Sequence, residues 1–482
     1  MNKPILPLTP NISERVQRFI QSPQLLQDLA DACGSPLNIV FPQAVSANIR
    51  RFREVYDKHA IAGRIYYAHK PNKSEALVRQ VAIEAIYVDI ASERELHSAL
   101  RAGFVGAKIQ ATGPKNRDFL TLALQHSVLI SVDNFQELQS IQKLIATLKI
   151  EHANILVRLC GFVGMSKESR FGVPISDLET VLSFISAHQS TLKLKGFSFH
   201  LDTASLEEKV IALVDTLNCI KLAHKKGLKP SIVNIGGGFK VNYLKHKGEW
   251  DEYVSALQQS VLGEHESLSW QNSGLGYRSE HGVLKGGPSF YQYFNEIAGP
   301  DYLNRLLSFK PDSFDGQTVA QVLSDNLLEL YIEPGRALLD QAGITIAKVN
   351  FVKQSPKGEV LVGLDMNRSN LDSLNQEMMV DPVVVSNSGE QPASKSPIGV
   401  YFIGNLCLES DFIYKHKTFA HAMPQADDLV IFTNTAAYNM DFTESHTLQQ
   451  RIATKLAVVE QNNTFKWYMD EKYRPVAYPY DL

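Results

Sequence analysis

The sequence predicts a parallel (β/α)8 barrel followed by an antiparallel β-domain. Eight short β-branched, apolar runs recur between residues 64 and 334, most of them separated by stretches with helical periodicity. After about residue 340, strand-like runs follow one another with few helices between them. A chain of 482 residues also exceeds what one hydrophobic core usually supports.

The eight runs are RIYYAHK (64–70), AIYVDIA (85–91), AKIQAT (107–112), VLISVD (128–133), NILVRL (154–159), LKGFSFH (194–200), SIVNIGG (231–237) and LELYIEP (328–334). Stretches such as SERELHSALRAGF and NFQELQSIQKLIATL lie between them. Strand alternating with helix gives βαβ units and a parallel sheet, and eight such units close a barrel. An extra run, PLNIVF (36–41), precedes them and is a candidate for the other domain. The expected division is an N-terminal segment 1–42 partly joining the β-domain, a barrel over 43–340, and a β-domain over 341–482.

The spacing is regular until Gly238. Residues 239–327 then intervene before the last barrel strand, far more than an ordinary βα connection. This insertion is rich in Gly and aromatic residues (GLGYRSEHGVLKGGPSFYQYF), which reads as a lid or specificity element. In the β-domain, ITIAKVNFVK, EVLVGLDM, PVVVSN, IGVYFIGN and DLVIFTNT are strand-like, and SNSGEQPASKSP (386–397) reads as a polar surface loop.

A net charge of −3 gives no electrostatic reason to expect nucleic acid or an anionic membrane as partner. The start, MNKPILPLTPNISERVQRF, has no apolar core of a secretory signal, and no uncharged run is long enough to span a bilayer. Cys33, Cys160, Cys219 and Cys407 form no metal-type pair, and their sparse use fits a reducing, cytoplasmic setting. No metal is expected.

Candidate chemistry gathers at the C-terminal ends of the barrel strands, where barrel active sites sit. Lys70 ends the first. On position alone it reads as a solvated lysine; held partly desolvated, it would suit Schiff-base chemistry. His200 ends the sixth, where a ring could lie against a cofactor or serve the core, and Thr203 follows as a possible phosphate ligand. Gly236, Gly237 and Gly238 follow the seventh and either make a tight turn or bring backbone N–H groups to a phosphate. Glu333-Pro334-Gly335-Arg336 follows the eighth. The carboxylate could bond a protonated pyridine nitrogen and the guanidinium a phosphate, or the two could form an ordinary turn with a surface ion pair.

Taken together, the lysine in YAHKPN, the histidine in HLDT, the GGGF run and the intact EPGR resemble the fold-type III pyridoxal-phosphate (PLP) decarboxylases, which include the diaminopimelate, ornithine and arginine enzymes. Pro71 stands where that family's lysine motif has Ala. The β-domain adds CLESD (407–411) and AAYNMDF (436–442). The resemblance implies an alanine racemase-like barrel, PLP as cofactor, and a homodimer with shared active sites acting on a small-molecule amino-acid substrate. It implies catalytic roles for Lys70, His200, Glu333 and Cys407, with Cys407 crossing to the partner's site to protonate Cα after CO2 leaves. Lys70, Asp89, His200, Thr203, Gly236, Gly237, Gly238, Glu333, Gly335, Arg336 and Tyr438 are the implied cofactor contacts. A racemase of the same fold would place Arg at the pyridine nitrogen. A non-catalytic PLP carrier would lack the second domain.

One departure bears on the substrate. The ornithine and diaminopimelate enzymes carry an acid directly after this cysteine; here that position is Leu408, and Glu409 is displaced by one. A pocket without that acid lacks a partner for a free distal ammonium, whose unpaired burial would be costly. An acylated distal nitrogen carries no such charge. With the long insertion, this resembles the siderophore-pathway branch that decarboxylates N-citrylornithine and its like, and also a group of rhizobial-type PLP proteins. A bulge restoring Glu409 keeps the diaminopimelate, ornithine and lysine readings open. Substrate-reading candidates are Leu408, Glu409, Asp411 and Arg278. Lys245, His246, His281 and Lys285 offer further cations in the insertion.

Overall fold

The computed structural model describes residues 6–165, 167–201, 205–371, 376–387 and 397–475. Eight strands close the barrel: Gly63–Ala68, Tyr87–Ile90, Ile109–Ala111, Leu129–Val132, Ala153–Cys160, Leu192–Ser198, Ile232–Asn234 and Glu329–Ile332. Each pairs in parallel with the next, and Leu330–Ile332 pairs back with Gly63–Ile65. Their apolar runs are continuous rather than alternating because both faces are covered.

Several barrel helices begin on short polar side chains. Ser74, Ser92, Asn116, Asn134, Ser205 and Thr318 each accept a backbone N–H of the first helical turn. Such caps stabilise a helix by about 1 kcal/mol each. They fix where strand chemistry stops and helix begins. The seventh strand is shorter than the sequence run because Gly236 and Gly238 take positive φ (65° and 81°) and turn the chain away.

The β-domain is mostly antiparallel. Gly343–Gln354 is its long central strand. A bulge between Val349 and Phe351 divides it: the first half pairs with Leu37–Val40 and Leu429–Thr433, the second with Val360–Leu364. Two of its pairings are parallel. Leu37–Val40 runs parallel to Thr454–Gln461, and Val360–Leu364 runs parallel to Ile398–Ile403. Both join strands far apart in sequence, so no tight hairpin dictates opposite directions. Val383–Val385, on Leu429–Thr433, Thr418–Ala420 and the hairpin Thr454–Gln461/Thr464–Met469 complete the sheet. Most of the segment expected as a polar loop, 388–396, lies outside the described residues.

The insertion folds as a helix, Lys247–Leu262, a two-stranded hairpin over Tyr277–Gly286, and two further helices, Gly299–Ser308 and Val319–Asp325. Ser269 bridges to His416 and Phe290 to Glu377, so the insertion is seated on the β-domain. No helix among the described residues is long and apolar enough to cross a membrane.

Candidate active site

Polar side chains converge at the C-terminal mouth of the barrel. Glu333, just past the last strand, accepts from Asn234 Nδ2 at 2.6 Å and from Gln110 Nε2, both through Oε1. Asn234 Nδ2 also donates to Gln110 Oε1 at 3.0 Å. Asp89 lies beside them, accepting from Thr112 Oγ1 at 3.1 Å and Gln110 Nε2 at 3.4 Å. Burial raises the Glu333 carboxyl above its usual range, against the hydrogen bonds from Asn234 and Gln110. Burial and then the charge of Glu333 push Asp89 well above its own. Two desolvated carboxyls side by side form a site that favours a cation.

The glycine loop sits next to this pair. Gly236 N–H donates to Asn234 Oδ1 at 2.9 Å, and Gly237 N–H to His200 Nδ1 at 3.0 Å. These two donors are therefore used inward rather than toward a phosphate, because the loop must first satisfy its own buried groups; Gly238 is the exposed one. A Cβ on Gly237 would lie 2.8 Å from the Glu333 carbonyl oxygen and 3.2 Å from His200 Cε1, so only glycine fits. Burial, then the charges of Lys209, Arg158 and Lys70, push His200 down to about 3. Its imidazole is neutral, with Nδ1 as acceptor. Behind the loop, Lys209 is fully buried and donates to Ile235 O at 3.1 Å and to Gly237 O. Burial pushes its amine down to about 7, with Glu333 opposing.

On the opposite side Arg336 lies in a cage of tyrosines. Its guanidinium carbon is 4.4 Å from the Tyr291 ring and 4.9 Å from that of Tyr438, and Nη1 donates to Tyr243 Oη at 3.1 Å. Burial works against this charge, yet Tyr243 and Tyr291 hold its pKa above the ordinary arginine value. Tyr438 sits at φ 71°, and its N–H donates to Pro71 O at 2.9 Å. Asn72 Nδ2 reaches Ala436 O at 2.7 Å. These bonds fold the β-domain loop over the lysine loop and bring Lys70 Nζ to 5.8 Å from the Tyr438 ring. Lys70 is exposed: the strand ends at Ala68, and the lysine stands beyond it.

Residues 43–269 match the family model of the pyridoxal-dependent decarboxylase pyridoxal binding domain. The uncharacterized protein y4yA of Sinorhizobium fredii is 30% identical over 446 residues, 90% of each chain. The diaminopimelate decarboxylase of Bacillus methanolicus is 23% identical over 435 residues, 87% of each. The crystal structure of the diaminopimelate decarboxylase from m. jannaschii in co-complex with L-lysine superposes with a TM-score of 0.68 at 16% identity, covering 96% of this chain and 95% of that one. This chain belongs to the fold-type III PLP-dependent decarboxylases.

The decarboxylase carries a donor set that fits its cofactor. The lysine amine, the neutral imidazole, the caged guanidinium and the carboxyl pair border one barrel mouth, and the Gly237 cradle admits no Cβ. Gly335 is equally confined: a Cβ there would meet Pro71 Cγ at 2.7 Å. Thr203 lies outside the described residues. Among the described residues, no group of three or more His, Cys, Asp and Glu side chains could hold a metal ion.

Other sequence candidates stand apart from this constellation. Cys407, Leu408 and Glu409 form the exposed tip of a β-domain loop. Asp411 is buried at its neck, accepting from Leu406 N at 2.7 Å and Arg368 N at 2.9 Å. Its carboxylate thus holds its own loop. Arg278 is exposed on the insertion hairpin and paired with Glu280 at 2.6 Å, and Lys245, His246, His281 and Lys285 are exposed as well.

Sequence reasoning passed over Gln110, Asn234, Lys209, Tyr243 and Tyr291. The first two had a signal: each is a polar residue near the C-terminal end of an otherwise apolar parallel strand, where every side chain is enclosed. Lys209 had a weaker one, as a lysine among the apolar positions of a barrel helix.

Proposed function

We propose that this decarboxylase acts on an α-amino acid whose distal nitrogen is acylated, such as N-citrylornithine. The observation that carries the reading is the state of the 404–412 loop. Leu408, the residue after the cysteine, is apolar and 48% exposed, and the nearby Asp411 carboxylate is already occupied by two backbone N–H groups. Neither offers a free carboxylate to a distal ammonium. The exposed cations of the insertion suit a substrate tail bearing carboxylates.

In this reading Lys70 holds the cofactor covalently, and Arg336, Tyr438, Gly238 and Thr203 hold its phosphate. When bound, the pyridoxal ring supplies a sink for the electron pair left by departing CO2. Glu333, fixed by Asn234 and Gln110, would keep a proton at the ring nitrogen, with Asp89 beside it. His200, neutral, would support the ring when it is bound. Cys407 of the partner subunit delivers its thiol proton to Cα. Exposure of the Cys407 tip supports its reaching a second chain in a homodimer.

Glu409 supports a second reading. It is exposed one residue further along the same tip and could serve a free diamino acid such as diaminopimelate, ornithine or lysine. A substrate screen separates the two. For the first, kcat/KM on N-citrylornithine exceeds that on free ornithine, lysine or diaminopimelate by roughly a thousandfold or more, since a site built for polar groups rejects analogues lacking them. Comparable rates on a free diamino acid would defeat it. Leu408→Asp raises the relative rate on free ornithine if position 408 faces the distal nitrogen.

A further inference from the structure

We infer that Trp270, within the long insertion, is a positioning residue for the Cys407 loop; the inference rests on the reading of Cys407 as proton donor. The loop leaves the strand Ile398–Ile403 and returns at Phe412, with Ile403 and Phe412 bridged across its neck. Gly404 N donates to Asp411 O at 2.9 Å, and a Cβ on Gly404 would lie 2.2 Å from Asp411 Oδ2. Below this tight neck, Trp270 touches both stems. Its ring is 4.8 Å from Phe412 at a 36° tilt, and 5.3 Å from Tyr401, nearly edge-on at 78°.

The contact extends through the backbone. Trp270 N donates to Lys415 O at 2.7 Å, and Lys417 N to Leu268 O at 2.8 Å, on either side of the Ser269–His416 bridge. The insertion segment is anchored in its turn: Tyr253 Oη reaches Leu268 O at 3.1 Å, and Asn272 Nδ2 reaches Ser260 O at 3.0 Å. A second tether runs through Glu377, which bridges to Phe290 of the insertion and accepts from His416 N at 2.8 Å and Nδ1 at 2.9 Å. One residue beyond Phe290 in the same insertion, the aromatic run reaches the barrel mouth, where Tyr291 stacks on Arg336. The insertion is thus a strut with one end at the cofactor site and the other under the stems of the proton-donor loop. Proton delivery to Cα demands sub-ångström aim, and the exposed four-residue tip depends for it on its stems, where Tyr401 and Phe412 both rest on Trp270.

The test uses the full-length holoenzyme and the amino acid that the wild type decarboxylates. Trp270→Ala is expected to lower kcat by roughly ten- to a hundredfold while KM and PLP affinity, followed by absorbance, stay within about twofold. Iodoacetamide alkylation of Cys407, followed by peptide mass spectrometry, should accelerate by on the order of tenfold, with alkylation of the half-buried Cys33 unchanged. Trp270→Phe should restore most of both. In deuterium oxide the wild type labels one face of the product α-carbon, whereas Trp270→Ala and Cys407→Ala label both. Wild-type kcat and alkylation rate in Trp270→Ala would overturn the assignment even if Cys407→Ala is inactive. An unimpaired Cys407→Ala removes instead the donor reading on which the kinetic arm rests. The alkylation rate then decides alone, and a wild-type rate in Trp270→Ala overturns the strut.

Discussion

Asn234 holds Glu333 with one end of its amide and the glycine loop with the other: Nδ2 donates to Glu333 Oε1 at 2.6 Å, and Oδ1 accepts the Gly236 N–H at 2.9 Å. One side chain therefore sets both the carboxyl proposed for the ring nitrogen and the loop proposed for the phosphate.

Asn234→Ala should accordingly impair two things together. Removing hydrogen bonds to a charged group and leaving a buried N–H unpaired lowers kcat and weakens PLP binding, each by roughly ten- to a hundredfold. Steady-state kinetics and cofactor titration measure both. Loss of only one would separate the two roles.

Glu333→Gln keeps an oxygen for Gln110 and Asn234 but removes the charge. Cofactor should still bind through Lys70 and the phosphate contacts, as judged by a visible absorbance band that Lys70→Ala abolishes. Turnover should fall by roughly three orders of magnitude or more, as when a group acting mainly in the transition state is lost. Near-normal turnover would remove Glu333 from the ring nitrogen.

The anchoring lysine has a direct chemical test. Borohydride reduction followed by peptide mapping should find the cofactor on Lys70 alone, the exposed amine facing Tyr438. Label on another lysine would break the assignment.

Shared active sites predict complementation. When Lys70→Ala and Cys407→Ala chains exchange at random, half the dimers are mixed and one of their two sites is intact. About a quarter of wild-type activity should return. Proven subunit exchange without recovery would mean that each site is built from one chain.

The fifth expectation concerns pH. Burial lowers the Lys209 amine to about 7, below its unfolded value near 10.4. Between these two values the unfolded chain holds a proton that the native chain does not, so native stability rises with pH across this window. Lys209→Met abolishes that linkage. Melting temperatures of the cofactor-free proteins from pH 7 to 10 should show wild type gaining on the mutant as pH rises. A constant difference would mean that Lys209 keeps its ordinary pKa.

The barrel was legible because each of its eight strands carries an enclosed apolar run and most are followed by an amphipathic helix with a polar cap. Lys70, His200, Glu333, Arg336 and Tyr438 could be named because each stands in a short motif at a predicted strand end or loop. Asn234 and Gln110 sit inside strands, so their role depends on which way the pleat points. Lys209 reaches the glycine loop from a helix, a proximity set by packing and not by spacing. The hairpin Thr454–Gln461/Thr464–Met469 had a local signal that went unread: Asn462 and Asn463 both take positive φ (51° and 59°), as a two-residue hairpin turn requires. The partners of the insertion were illegible for a different reason, since Trp270 meets Phe412 across more than a hundred residues of chain.

The strand Leu37–Val40 lies in the sheet between Gly343–Gln354 and Thr454–Gln461. On the ribosome it emerges early and must wait, with both hydrogen-bonding edges open, while the whole barrel is made. Its last neighbour lies more than four hundred residues further along the chain. Translation that stalls before residue 454 would release a nascent chain with a folded barrel and an apolar strand edge free to pair with another chain.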